Sequence, residues 1–267
     1  MTAPPLRIAF LFNHYATHQV AHAAPFAFEL SRRDPTALVT IACTSDEQRA
    51  VVDKIGRRYP GQRVTIVRLT MPWLRRVVAA LRVPYLRRKR GMLGSNLEFF
   101  RGFDAIVAPE KTFLQLRTRL GLEHVKLIHT RHGAGDREGS FDRRTLEFDL
   151  TLVQGQKYVN RFAEHGHLRE GHCAIVGYAK FEACAADEKP KRFFPNDRPI
   201  VLYNPHFDER VSSWQTQGRA VLEWFAAQRD YNLIFSPHIV LFKRPWRHGA
   251  RIPRGIRSAP CLGSSSS

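Results

Sequence analysis

The chain has 267 residues and no run of eighteen or more uncharged apolar ones, so no segment reads as a membrane-spanning helix. Its first stretch, MTAPPLRIAFLFNHYATH, lacks the basic start, long apolar middle and small-residue cleavage site of a secretory signal. A cytoplasmic location is therefore expected. Cysteine is scarce: Cys43, Cys173, Cys184 and Cys261 form no CxxC pair and no zinc-ligand spacing, so neither a disulfide framework nor a structural zinc is expected. Three glycine signatures are also missing. The absence of GxGxxG after the first apolar run argues against a dinucleotide-dependent dehydrogenase. The absence of GxxxxGK[ST] argues against a P-loop nucleotidase, and that of GxSxG against the commonest serine hydrolases. Acidic residues are few, 24 against 42 Lys+Arg, and the formal net charge of +18 favours anionic partners.

What is present alternates short apolar runs with helical stretches. RIAFLF (Arg7–Phe12), ALVTIAC (Ala37–Cys43), VTIVRL (Val64–Leu69), DAIVAP (Asp104–Pro109) and VKLIHT (Val125–Thr130) read as buried strands. FDLTLVQG and HCAIVG add two more around a helix at Gln156–His165. Helices are expected from about Thr17 to Arg32 and from a Ser45–Asp46 cap to about Arg58. This spacing gives an α/β fold with a doubly wound, Rossmann-like parallel sheet over residues 1–183. Ligands of such sheets gather beyond the carboxyl ends of the strands, which puts NHYATH, APEK, HTRHG and VGYAK on one rim. Residues 184–198 read as a charged, proline-rich linker, after which PIVLYNPH, a helix and YNLIFSPH begin a second domain over 199–242. From Lys243 to Ser267 the arginine, proline and serine composition has no periodicity, and that tail is expected to be unordered. The second domain therefore reads as incomplete.

The rim motifs carry a resemblance. RHG (Arg131–Gly133), VGYAKFE (Val176–Glu182), YNPHFDE (Tyr203–Glu209) and FSPH (Phe235–His238) resemble, in order, those of the CDP-glycerol glycerophosphotransferase family of teichoic-acid-type polymerases. Members have two Rossmann-like domains in a GT-B arrangement. The resemblance implies transfer of a phosphoalcohol from a CDP-activated donor to an acceptor hydroxyl on a polymer or lipid-linked glycan. His132 is then the base, with His206 and His238 near the donor phosphates and Arg131, Gly133 and Arg137 lining the substrate. YNPHFDE lacks the basic residue the family carries beside its aromatic, and the later donor-nucleotide motifs have no counterpart before Ser267.

Two other patterns bear on function. His14, His18 and His22 are four apart and share one face if the segment is helical throughout. A substrate-facing helix start using His14 and His18, a metal site, and a packed face remain open; no carboxylate or cysteine completes a metal site, and no cofactor is implied. WLRRVVAALRVPYLRRKR (Trp73–Arg90) reads as a basic amphipathic segment. Two readings stay open: an ordinary helix with its apolar side in the core and its arginines in water, or a segment whose Trp73, Arg75, Arg76, Arg87, Arg88, Lys89 and Arg90 are membrane-contact residues on the inner face of the cell membrane. No nucleic-acid recognition module accompanies the charge, so a nucleic-acid partner is not expected. A nucleotide-sugar donor on the same fold is the alternative enzyme reading. An inactive remnant or basic membrane-binding module is the third.

Overall fold

Strand β1 (Arg7–Phe12) is buried from Ile8 onward on both faces, as its unbroken apolar run requires. Ala9 and Leu11 join one core with Ile106 and Ala108, while Ile8, Phe10 and Phe12 join the other with Ala105 and Val107. The period-2 alternation of a strand thus fills both sides of the sheet from one apolar segment. The computed structural model describes residues 4–13, 17–72, 91–133, 141–184, 192–238 and 241. His14, Arg137, the basic segment Trp73–Arg90 and the tail from Lys243 all lie outside the described residues.

The chain divides into two units, Met1–Ala186 and Asp187–Ser267. In the first, β1 is joined by β2 (Leu38–Cys43), β3 (Thr65–Arg68), β4 (Ala105–Ala108), β5 (Lys126–Thr130), β6 (Leu150–Val153) and β7 (Cys173–Ile175). All pairings are parallel, in the order β3-β2-β1-β4-β5-β6-β7. The order reverses between β1 and β4, which makes that crevice the topological switch point. Helices α1 (Ala24–Arg33), α2 (Asp46–Gly56), α3 (Leu97–Arg101), α4 (Gln115–Thr118) and α5 (Gln156–Glu164) accompany the strands. Ser45 caps α2 as its sequence suggests, its side chain accepting from the Gln48 N–H at 3.2 Å.

The expected helix over Thr17–Arg32 is split. A 3-10 turn covers Thr17–His22 and α1 starts only at Ala24, with Pro25 in its first turn. Proline has no N–H to donate back into a preceding turn, so it opens a new helix rather than continuing one. Helix α6 (Ala179–Cys184) follows β7 at the sheet edge yet packs against the Thr17–His22 turn and α1. Arg58 secures it by donating to the Ala183 carbonyl at 2.5 Å.

In the second unit β8 (Ile200–Tyr203) and β9 (Asn232–Phe235) pair in parallel around α7 (Trp214–Ala227). Trp214, Leu222, Phe235 and Leu241 form its core. Gly218, one turn beyond Trp214, is what allows the indole to lie on its own helix: a Cβ there would stand 2.3 Å from a ring carbon.

Candidate active site at the carboxyl rim of the first sheet

The HTRHG segment leaves β5 at the rim, where His129, Thr130 and Arg131 are buried and His132 is exposed. Gly133, at φ +92°, takes the left-handed turn that a side chain would strain. The Nδ1 of His132 lies 2.6 Å from the Pro109 carbonyl, on the loop that follows β4. A carbonyl only accepts, so Nδ1 carries the proton in this contact and the Nε2 lone pair is left as the basic position. Two neighbouring strand ends therefore set the tautomer of an exposed imidazole.

Beside it lies a cavity of about 320 Å³ lined by Glu110, Lys111, Thr112, His129, Arg131, His132, Asp142 and Arg144. Asp142 ties the wall together, taking Lys111 Nζ and Arg144 Nη2 at 2.9 Å each. Burial alone would raise its pKa, but the hydrogen bonds from Arg144 and Lys111 prevail and hold it at about 2. Burial lowers the Lys111 pKa despite that same carboxylate. The buried His129 stacks on Phe148 at 4.8 Å, and desolvation, with Lys111 and Arg131 nearby, drives its pKa well below the usual histidine value. His129 is a core histidine.

Arg131 lines that cavity from among aromatic rings. Its guanidinium carbon lies 4.5 Å from the Tyr158 ring centre, 4.8 Å from Phe141 and 5.5 Å from Phe162. Burial among these rings lowers its pKa, and aromatic faces stabilise the charge at the wall of the cavity. Consecutive residues of an extended segment point to opposite sides, so a His132 that faces out turns Arg131 inward.

The histidines after β1 also separate. In a 3-10 turn, with three residues per turn, positions four apart do not share a face. His18 is exposed, whereas His22 is 6% exposed. His22 lies 6.4 Å from the His132 ring and 5.4 Å from the Tyr178 ring, centre to centre. Burial first, then Lys180 and His132, lower its pKa to about 3, so it is neutral. Gln19 donates to Glu110 at 3.2 Å, bridging the loops after β1 and β4 across the switch point. Sequence reasoning missed Pro109, Glu110, Asp142, Arg144 and Tyr178 as site components. APEK and VGYAK, already on the rim by their place after strands, held Pro109, Glu110 and Tyr178, whereas nothing signalled Asp142 and Arg144. Among the described residues no group of three or more His, Cys, Asp or Glu is placed to hold a metal ion.

In the second unit His206 and His238 follow β8 and β9, whose last residues, Tyr203 and Phe235, are paired in register. Their rings are 5.1 Å apart, and Phe207 packs on both. The Asp208 N–H donates to His206 Nδ1 at 2.9 Å, so a neutral His206 presents Nε2–H as a donor.

No family model and no curated protein matches the sequence. Solved structures do. The UDP-GlcNAc 2-epimerase from Neisseria meningitidis, solved with UDP-GlcNAc bound, superposes with a TM-score of 0.58 at 10% identity, over 88% of this chain. The chain spans 66% of that epimerase, less than two thirds of its length. The kitacinnamycin glycosyltransferase superposes with a TM-score of 0.52 at 12% identity, covering 96% of this chain and 71% of the other. The wall teichoic acid polymerase TagF reaches only 0.46 at 11% identity, over 91% of this chain and 57% of its own, which is too distant to bear on family. At such identities the likeness is one of fold alone. No described helix is long and apolar enough to cross a membrane. The chain has a GT-B-like α/β fold, a seven-stranded Rossmann-like unit followed by a second unit with one described βαβ element.

Proposed function

We propose that the chain belongs to a transferase acting on a nucleotide-activated donor, with His132 as the general base for an acceptor hydroxyl. The observation that carries this reading is the exposed His132 ring, fixed by the Pro109 carbonyl so that Nε2 is the basic atom at the carboxyl rim of the sheet. With a CDP-alcohol donor, the acceptor hydroxyl gives its proton to Nε2 while its oxygen attacks the β-phosphorus. The bond from that phosphorus to the bridging oxygen breaks, and CMP leaves with the electron pair. Within the second unit, His206 Nε2–H and His238 together form a candidate contact for a phosphate group. A base so placed contributes about 10²–10⁴ in rate.

A nucleotide-sugar donor is the second reading. It draws on the Neisseria epimerase, a fold relative solved with UDP-GlcNAc bound. Incubation of the chain with radiolabelled CDP-glycerol and, separately, UDP-GlcNAc distinguishes the donors by which label is transferred. In either case His132→Ala removes the transfer. A label that moves equally well in that variant contradicts the proposal. Liposome binding without transfer from either donor supports a membrane-binding module instead.

A further inference from the structure

The carbonyl that holds His132 belongs to the peptide between Pro109 and Glu110, so its direction turns with that one planar unit. Proline fixes its own φ and has no N–H with which to anchor the chain in a ladder. The orientation of the peptide is therefore left to Glu110. This residue is extended, at φ −116° and ψ 132°, just before a 3-10 turn over Lys111–Leu114. Its carboxylate is held at both oxygens. Oε1 accepts from Gln19 Nε2 at 3.2 Å, and Oε2 accepts from Thr112 Oγ1 at 3.0 Å. Gln19 is itself 4% exposed, in the turn that follows β1. The mechanism above gives Glu110 no task.

We infer that Glu110 is a positioning residue for His132: held by Gln19 and Thr112, it fixes the 109–110 peptide, whose carbonyl selects the Nδ1–H tautomer of the ring. Three observations lead there. A carboxylate only accepts, so the Gln19 amide must turn its nitrogen to Glu110, and the tether across the switch point has one orientation. The next residue, Lys111, ties the other side of the same loop to Asp142 at 2.9 Å. Between these two anchors the Pro109 carbonyl meets His132 Nδ1 at 2.6 Å, the short end of the range for such a bond. Hydrogen bonds of this kind weaken steeply as they bend, so a peptide free to rotate would release the proton to Nε2. That the tautomer serves a base rests on the transferase reading; that Glu110 sets it does not.

The test uses the full chain with ¹⁵N-labelled histidine in alkaline buffer, where imidazole is neutral and its ring nitrogen shifts report the tautomer. The wild-type His132 should carry its proton on Nδ1. Glu110→Ala should lower the ratio of Nδ1–H to Nε2–H about 2- to 10-fold, the worth of one hydrogen bond. Glu110→Gln keeps an acceptor for Gln19 and a partner for Thr112, and should stay within about twofold of wild type. Gln19→Leu should shift the ratio in the same direction as Glu110→Ala, and the double variant should shift it no further. An unmoved ring signal from the core residue His129 verifies that each variant is folded. A ratio unchanged in both Glu110→Ala and Gln19→Leu overturns the inference. So does an equal shift in Glu110→Gln and Glu110→Ala, which would make charge rather than position the cause. Because the tautomer is read without turnover, a wild type that transfers no label leaves this result intact. A tautomer indifferent to Glu110 removes Glu110 alone and leaves His132 as the base.

Discussion

His132 and Arg131 are neighbours in sequence with opposite fates, and the alternation of an extended chain is the reason. The histidine was legible because a glycine turn after an apolar run presents its side chain outward. The inward path of Arg131, into aromatic rings at the cavity wall, was legible in the same rule. Arg131→Ala should lose the aromatic contacts and the packing of the stem together. A cost of about 2–4 kcal/mol in urea unfolding is expected, and a change below about 0.5 kcal/mol would place the guanidinium in solvent instead. His22 supplies a second residue-scale prediction. Its folded pKa of about 3 lies below the unfolded value, so the unfolded chain binds the proton more readily. The stability this contributes is whole above about pH 6.5 and drains as the pH falls toward 3. Relative to wild type, His22→Phe should therefore flatten the pH dependence of unfolding between pH 7 and 5. Parallel curves for the two proteins would mean that His22 is protonated in the fold. The partner of His132, a main-chain carbonyl on the adjacent strand, has no sequence signal at all.

At the scale of elements, the strands were readable, the edge strands β3 and β7 included, and the break in the helix after β1 was not. Each apolar run became a parallel strand because burial on both faces leaves no other use for so continuous a run. The helix after β1 was drawn too long because periodicity continues through Pro25, while the missing N–H divides it. Helix α7 shows the reverse case, where a residue that looks unfavourable is required. Gly218 ought to weaken a helix interior by up to about 1 kcal/mol relative to alanine. The Trp214 ring occupies the space of the missing Cβ, so Gly218→Ala should destabilise by about 1–3 kcal/mol. Denaturant unfolding followed by circular dichroism reads the sign. A stabilised Gly218→Ala would show that the indole is free to move away.

For the whole molecule, composition and strand spacing were enough to indicate a Rossmann-like sheet and a second βαβ unit. They did not give the strand order. The reversal between β1 and β4, and the return of α6 from the sheet edge, depend on packing between elements distant in sequence. That long-range order assembles the site: His22 comes from the β1 side, Pro109 and Glu110 from beyond β4, His132 from beyond β5, and Tyr178 from beyond β7. The excess of 42 basic over 24 acidic residues suits phosphate-bearing ligands, but charge alone chooses no donor. Transfer of label from CDP-glycerol or UDP-GlcNAc by the wild-type chain, set beside His132→Ala, decides the central claim. The account predicts transfer that falls by about 10²–10⁴ in the variant, with its fold and melting temperature retained. Transfer at the wild-type rate without the imidazole would contradict it.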